Sequence, residues 1–75
     1  MSLEEFIKLQ ELVSIGEEIC LDYKNEEYWI SQAPNKCYLT RVKNSFTQQF
    51  DTPEILFKKG TIDGRLLSEI YTEID

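Results

Sequence analysis

The sequence predicts an α+β domain: an N-terminal helix, an antiparallel three- to four-stranded meander, and two C-terminal helices packed on one sheet face. Three observations predict it. Apolar residues recur at helical spacing from Leu3 to Val13. The period then changes to two from Ile19 to Val42, with turn-forming residues between the runs. Beyond Phe50, helix-start signals return at Thr52-Pro53-Glu54 and at Asp63.

Each element has a local reason. Ser2-Leu3-Glu4-Glu5 has the S-x-x-E form of a capping box, in which Ser2 caps the helix and Glu5 reaches back to the Ser2 amide. Leu3, Phe6, Ile7, Leu9, Leu12 and Val13 form the apolar stripe, and Gly16 stands where a C-cap glycine belongs, so the first helix is expected over 3–15. Ile19, Leu21 and Tyr23 alternate with Glu18, Cys20 and Asp22, while Tyr28 and Ile30 alternate with Glu27, Trp29 and Ser31. These are strands near 18–24 and 27–33, joined by Asn25-Glu26 as a two-residue hairpin turn. Ala33-Pro34-Asn35-Lys36 breaks the pattern before a third strand near 37–43, and Phe46 to Phe50 is a candidate fourth strand after Lys43-Asn44-Ser45. Thr52 as N-cap, Pro53 at the first helical position and Glu54 in the first turn open a helix over 53–59, which Gly60 closes after Lys58-Lys59. Asp63 reads as the N-cap of a last helix over 64–74, with Leu66, Leu67, Ile70, Tyr71 and Ile74 on one stripe.

Register turns these elements into surfaces. An Asn25-Glu26 loop sets Tyr23 opposite Tyr28 and Leu21 opposite Ile30; a loop centred on Pro34-Asn35 sets Ile30 opposite Leu39 and Gln32 opposite Cys37. One face then carries Ile19, Leu21, Tyr23, Tyr28, Ile30, Cys37 and Leu39 and is the expected core face. The other carries Cys20, Asp22, Trp29, Ser31, Tyr38, Thr40 and Val42. Trp29, Tyr38, Thr40 and Val42 on this second face are the candidate interaction surface, with Trp29 and Tyr38 as diagonal neighbours. The bland reading is that a loop, the N-terminal helix, Phe46 or Phe50 covers this face and makes Trp29 core. Cys20 and Cys37 fall on opposite faces, so both thiols are expected to be free.

Composition removes whole classes of function. The 75 residues make one domain, 1–75, with 41% apolar and 29% charged residues, an ordinary globular balance. Apolar runs reach only two or three residues, as in Ile55-Leu56-Phe57, and the start of the chain has no basic, apolar leader. A cytoplasmic protein with no membrane contact is the expectation, and a chain with only two cysteines suits a reducing compartment. With no histidine, neither the usual neutral-pH base nor an activated cysteine pair is available. The adjacent carboxylates Glu4-Glu5, Glu17-Glu18 and Glu26-Glu27 diverge on a helix or a strand, so they make poor paired sites. Two cysteines do not complete a tetrahedral zinc site, and Gly16, Gly60 and Gly64 are isolated rather than part of a phosphate-cradling loop. No catalytic residue, metal, cofactor or small-molecule substrate is indicated. The chain is read as a non-enzyme.

Two stretches carry a resemblance. Gly16-Glu17-Glu18-Ile19 followed by Leu21, Tyr23, Tyr28 and Ile30 is similar to a glycine-led β-hairpin. Ile62-Asp63-Gly64-Arg65 followed by Leu67, Glu69, Ile70 and Tyr71 is similar to an I-D-G-K-x-L-x-E-I-W ending. Together with Phe50, Thr52-Pro53-Glu54 and Leu56, they resemble a group of small uncharacterised proteins of low-GC Gram-positive bacteria and their phages. Arg65 stands in place of lysine, Tyr71 in place of tryptophan, and the hairpin turn lacks the group's glycine. The resemblance implies the α+β arrangement above and a bacterial or phage setting, with no activity attached.

Three functional readings remain open. The first is a small cytosolic interaction or regulatory protein that binds a protein partner, or itself, through the Trp29 face. The second is an acidic inhibitor, an immunity or anti-defence protein, whose net charge of −6 occupies a nucleic-acid-binding groove of its target. The third is a weak single-stranded nucleic-acid binder that stacks bases on Trp29 and Tyr38. Nucleic acid is disfavoured because the cations near those rings are few: Lys24, Lys36, Arg41 and Lys43.

Overall fold

A computed structural model describes residues 1–74. The chain runs α1 (Leu3–Ser14), β1 (Ile19–Tyr23), β2 (Glu26–Ala33), β3 (Lys36–Arg41), β4 (Phe46–Phe50), α2 (Pro53–Lys59), β5 (Thr61–Ile62), β6 (Arg65–Leu66) and α3 (Leu67–Ile70), and ends in a 3₁₀ turn over Tyr71–Glu73. β1 to β4 form one antiparallel sheet in sequence order, and β5 and β6 form a separate miniature hairpin. The architecture is the α+β one expected from sequence.

The first helix begins and ends as its residues dictate. The Glu5 amide donates to Ser2 Oγ at 3.1 Å, and the Ser2 amide donates to Glu5 Oε1 at 2.9 Å. At the other end Gly16 takes φ +97°; the Glu17 amide donates to the Leu12 carbonyl at 3.0 Å and the Gly16 amide to Val13 at 3.1 Å, a Schellman closure. The buried stripe is narrower than expected: Phe6, Leu9 and Val13 are core, whereas Leu3 and Ile7 are 57% and 48% exposed. A helix lying on one sheet face turns only part of its circumference inward, and Leu3 and Ile7 fall at the margin of that arc.

The sheet keeps the expected faces but shifts one turn. The β1–β2 turn is Lys24-Asn25, with both residues at positive φ, so Tyr23 pairs with Glu26 and Leu21 with Tyr28. Expecting Asn25-Glu26 put the register two residues away. Such a shift leaves every side chain on its own face, so the apolar pattern is blind to it. The observed turn gives Glu26 a strand position from which it pairs with Arg41 of β3. The second loop is as expected, with Asn35 at φ +65°, Ile30 opposite Leu39, and Gln32 opposite Cys37.

The C-terminal third departs most. Thr52 Oγ1 accepts from the Ile55 amide at 3.2 Å, and α2 runs to Lys59 as expected. Gly60 then has an ordinary φ, but a β-carbon there would lie 2.5 Å from the Leu56 carbonyl oxygen; only glycine fits so close to the helix end. The expected helix over 64–74 is instead the β5–β6 hairpin, the short α3 and the 3₁₀ turn. Asp63 is not a helix cap. It takes φ +55° and Gly64 φ +74°, the two left-handed central residues of a tight hairpin turn. Gln48 of β4 fastens this hairpin: Nε2 donates to the Thr61 carbonyl at 2.7 Å, and Oε1 accepts from the Thr61 amide at 3.0 Å.

The core lies between one sheet face and the helices. Leu21, Tyr23, Tyr28, Ile30, Cys37 and Leu39 meet Phe6, Leu9, Val13, Leu56, Phe57, Ile62, Leu67, Ile70 and Ile74, all buried. Phe6 joins the helical layer, stacked on Tyr71 at 4.7 Å and edge-on to Phe57 at 5.8 Å. Ile74 pairs with Tyr23 along the outer edge of β1, and the Met1 ammonium donates to the carbonyls of Tyr71 and Ile74 at 3.1 and 2.6 Å. Among the described residues no buried side-chain polar atom lacks a hydrogen-bond partner, and no helix is long and apolar enough to cross a membrane.

Candidate protein-interaction surface

All of the helices pack on one side of the sheet, and period-two alternation sends every second strand residue to the other. Cys20, Trp29, Thr40 and Thr47 form one row across the four strands of that second face. Asp22, Glu27 and Val42 form the row on one side of it; Ser31, Tyr38 and Gln49 form the row on the other. Trp29 therefore has Tyr38 on β3 and Val42, just past its end, as its two diagonal neighbours on that side.

Exposure follows from this layout. Trp29 is 47% exposed and Val42 38%, while Tyr38 and Thr40 are half-buried between flanking strands. Neither Phe46 nor Phe50 covers Trp29, because pairing with Arg41 and Cys37 turns both toward the core side. The indole Nε1 donates to Glu27 Oε2 at 2.6 Å, which holds the ring toward the acidic row. The Thr40 and Thr47 hydroxyls lie 3.0 Å apart on the same face. Beside Trp29 is a shallow depression of about 210 Å³ bounded by Glu18, Ile19, Cys20 and Ser31. The ring is thus presented with carboxylates around it: Glu27 bonded to it, Asp22 paired opposite Glu27, and Glu18 at the rim of the depression.

The cysteines stand apart, Cys20 exposed on the outer face and Cys37 buried in the core, both free. Burial pushes the Cys37 thiol pKa up, so it is the less reactive of the two.

A second concavity had no counterpart in the sequence reading. Its wall is the β5–β6 hairpin, within a stretch whose apolar stripe reads as helix. This cleft of about 220 Å³ lies between the hairpin tip, Asp63-Gly64, and the end of the sheet, where Tyr28, Arg41, Phe46 and Gln48 line it. Burial raises the Tyr28 hydroxyl pKa, and the hydrogen bond to Glu26 raises that of Arg41. Glu26 already engages the guanidinium, and Phe46 stands 61% exposed at the rim. The dipeptide Asp63-Gly64, the strongest short-range hairpin signal a sequence offers, was the clue to this wall. Among the described residues no group of three or more metal-ligating side chains is positioned to hold an ion. Compared with family models, curated proteins and solved structures, the chain matches none of them.

Proposed function

We propose that this chain is a small, non-enzymatic, cytoplasmic interaction module that docks the outer face of its sheet onto a basic, partly apolar patch of a protein partner. The observation that carries this reading is Trp29: nearly half exposed, central on the sheet face opposite the helices, and bordered by carboxylates on its β1 side. A tryptophan flanked by a valine and a tyrosine is the kind of anchor that dominates protein interfaces. The acidic rim of Asp22 and Glu27 and the net charge of −6 favour a partner of opposite sign and speed its encounter. A base-stacking platform needs cations beside its ring, and carboxylates stand there instead.

The pairing of Asp22 with Glu27 on that face also favours a narrower second reading, in which the partner is a nucleic-acid-binding protein whose basic groove the module occupies. Trp29 is the only tryptophan of the chain, so its emission reports directly on this face. The test captures partners on immobilised wild-type chain and on Trp29→Ala and Glu27→Lys variants, then titrates each purified partner against free chain. The expected result is a blue shift of Trp29 emission on binding, with affinity at least about tenfold weaker for either variant and falling with added salt. Competition by DNA or RNA for the same partner selects the narrower reading. A partner that binds both variants as well as the wild type and leaves Trp29 in water overturns the proposal.

A further inference from the structure

The two edges of the sheet are treated differently. Along β1 the chain covers one end of its own edge, where Tyr23 pairs with Ile74, and Asp22 and Lys24 place charge at that end. Along β4 nothing comparable is present among the described residues: Phe46-Thr47-Gln48-Gln49-Phe50 has no charge, proline or glycine. Those are the usual devices that keep a strand edge from pairing with another chain.

The register identifies the free groups. The Val42 amide donates to the Glu27 carbonyl at 3.0 Å, so 27/42 and every second pair after it, 29/40, 31/38 and 33/36, are the hydrogen-bonded pairs along β2. Cys37, Leu39 and Arg41 then bond outward to Phe50, Gln48 and Phe46. The backbone groups of Thr47 and Gln49 are left facing the open edge.

We propose that the β4 edge is a self-association surface whose occupant is β4 of a second copy of this chain, antiparallel about a two-fold axis through Gln48. The strand is nearly a palindrome about that residue. The axis sets Thr47 of one copy opposite Gln49 of the other, the positions whose amides and carbonyls face outward, so each such pair exchanges both backbone bonds. Phe46 then lies opposite Phe50 of the second copy on the core side, which gives the 61%-exposed Phe46 ring an apolar neighbour. Lys43 and Asp51 flank opposite ends of the strand, and the axis brings the cationic end of one copy to the anionic end of the other. The result is a continuous sheet of twice the width. It carries the two Trp29 side chains on one surface, five strand spacings or roughly 25 Å apart, so a partner with two basic patches gains from divalent engagement.

Sedimentation velocity of the full chain over a roughly hundredfold concentration range tests this. The expected result is a monomer–dimer equilibrium with raised amide-exchange protection at Thr47 and Gln49 in the dimer. Thr47→Pro removes an outward amide and should weaken association at least about tenfold. If that variant does not fold, Thr47→Lys/Gln49→Lys serves: it opposes like charges across the axis and should weaken association similarly, while Thr47→Glu/Gln49→Lys should restore it. A chain that stays monomeric throughout overturns the proposal. So does a dimer that survives the edge variants but is lost with Trp29→Ala, since that outcome assigns self-association to the outer face instead.

Discussion

Trp29 and Ile30 are adjacent in β2 and face opposite sides of the sheet, so alanine at each position weighs the two faces on one strand. Ile30 is 0% exposed and Trp29 47%. A fully buried tryptophan covers on the order of 200 Å², so about half of that is withheld from water here. At ~25 cal/mol/Å² this corresponds to about 2.5 kcal/mol, an upper bound, because the unfolded chain already hides some 10–40% of such area. The exposed bond to Glu27 adds little. Trp29→Ala is therefore expected to cost about 1–2 kcal/mol, a fall in Tm of about 4–16 °C for a domain of this size. Ile30→Ala should cost about 2–5 kcal/mol, the range for emptying a core site. Urea unfolding followed by far-ultraviolet circular dichroism measures both without needing the missing fluorophore. Acrylamide quenching of the wild type should find Trp29 accessible. If Trp29→Ala destabilises as much as Ile30→Ala, or the wild-type indole resists quenching, then Trp29 is part of the folded core and the outer face is not available for a partner.

The remaining predictions bear on turns, thiols and acid stability. Gly64→Ala meets no atom within 4 Å but forces a side chain into φ +74°, so it should cost about 1–2 kcal/mol. Gly60→Ala has an ordinary φ yet drives a methyl into the Leu56 carbonyl and should cost more; thermal melts that rank the two the other way refute this account of the glycines. A thiol reagent added to folded protein should modify Cys20 quickly and Cys37 only on unfolding; equal rates contradict the assigned faces. Hydrogen bonds from Ser2, chiefly its backbone amide, hold the Glu5 carboxyl below its ordinary pKa. A group lowered in the folded state stabilises above its unfolded value and loses that contribution as pH falls through its folded value. Ser2→Ala removes the hydroxyl and leaves the amide, so it should raise the Glu5 midpoint only part of the way and shrink this acid-limb contribution in proportion. Carboxyl NMR titration checks it, and an unperturbed wild-type Glu5 shows that the capping box is open in solution.

What could be read from sequence is what neighbouring residues settle among themselves. Ser2 and Glu5 are three residues apart, Gly16 ends a helix whose carbonyls need a left-handed residue, and Thr52-Pro53 opens the next helix, so those ends were legible. Alternation in Ile19–Tyr23 and Tyr28–Ile30 assigns each strand residue to a face, and that alternation alone puts Trp29 on the outer one. The tertiary structure decided what local pattern leaves degenerate. Lys24-Asn25 and Asn25-Glu26 serve the apolar alternation equally well, and the choice between them gives Glu26 its pairing with Arg41 across the sheet. Leu66, Leu67, Ile70 and Ile74 fit a helical stripe, yet a short hairpin lets Gln48 satisfy the backbone of Thr61 and frees Ile74 to pair along β1. A last helix running on through Ile74 would have left Tyr23 without its pairing at the end of β1. That pairing and the tight Asp63-Gly64 turn outweighed a helical preference that, over so few residues, amounts to only tenths of a kcal/mol per position.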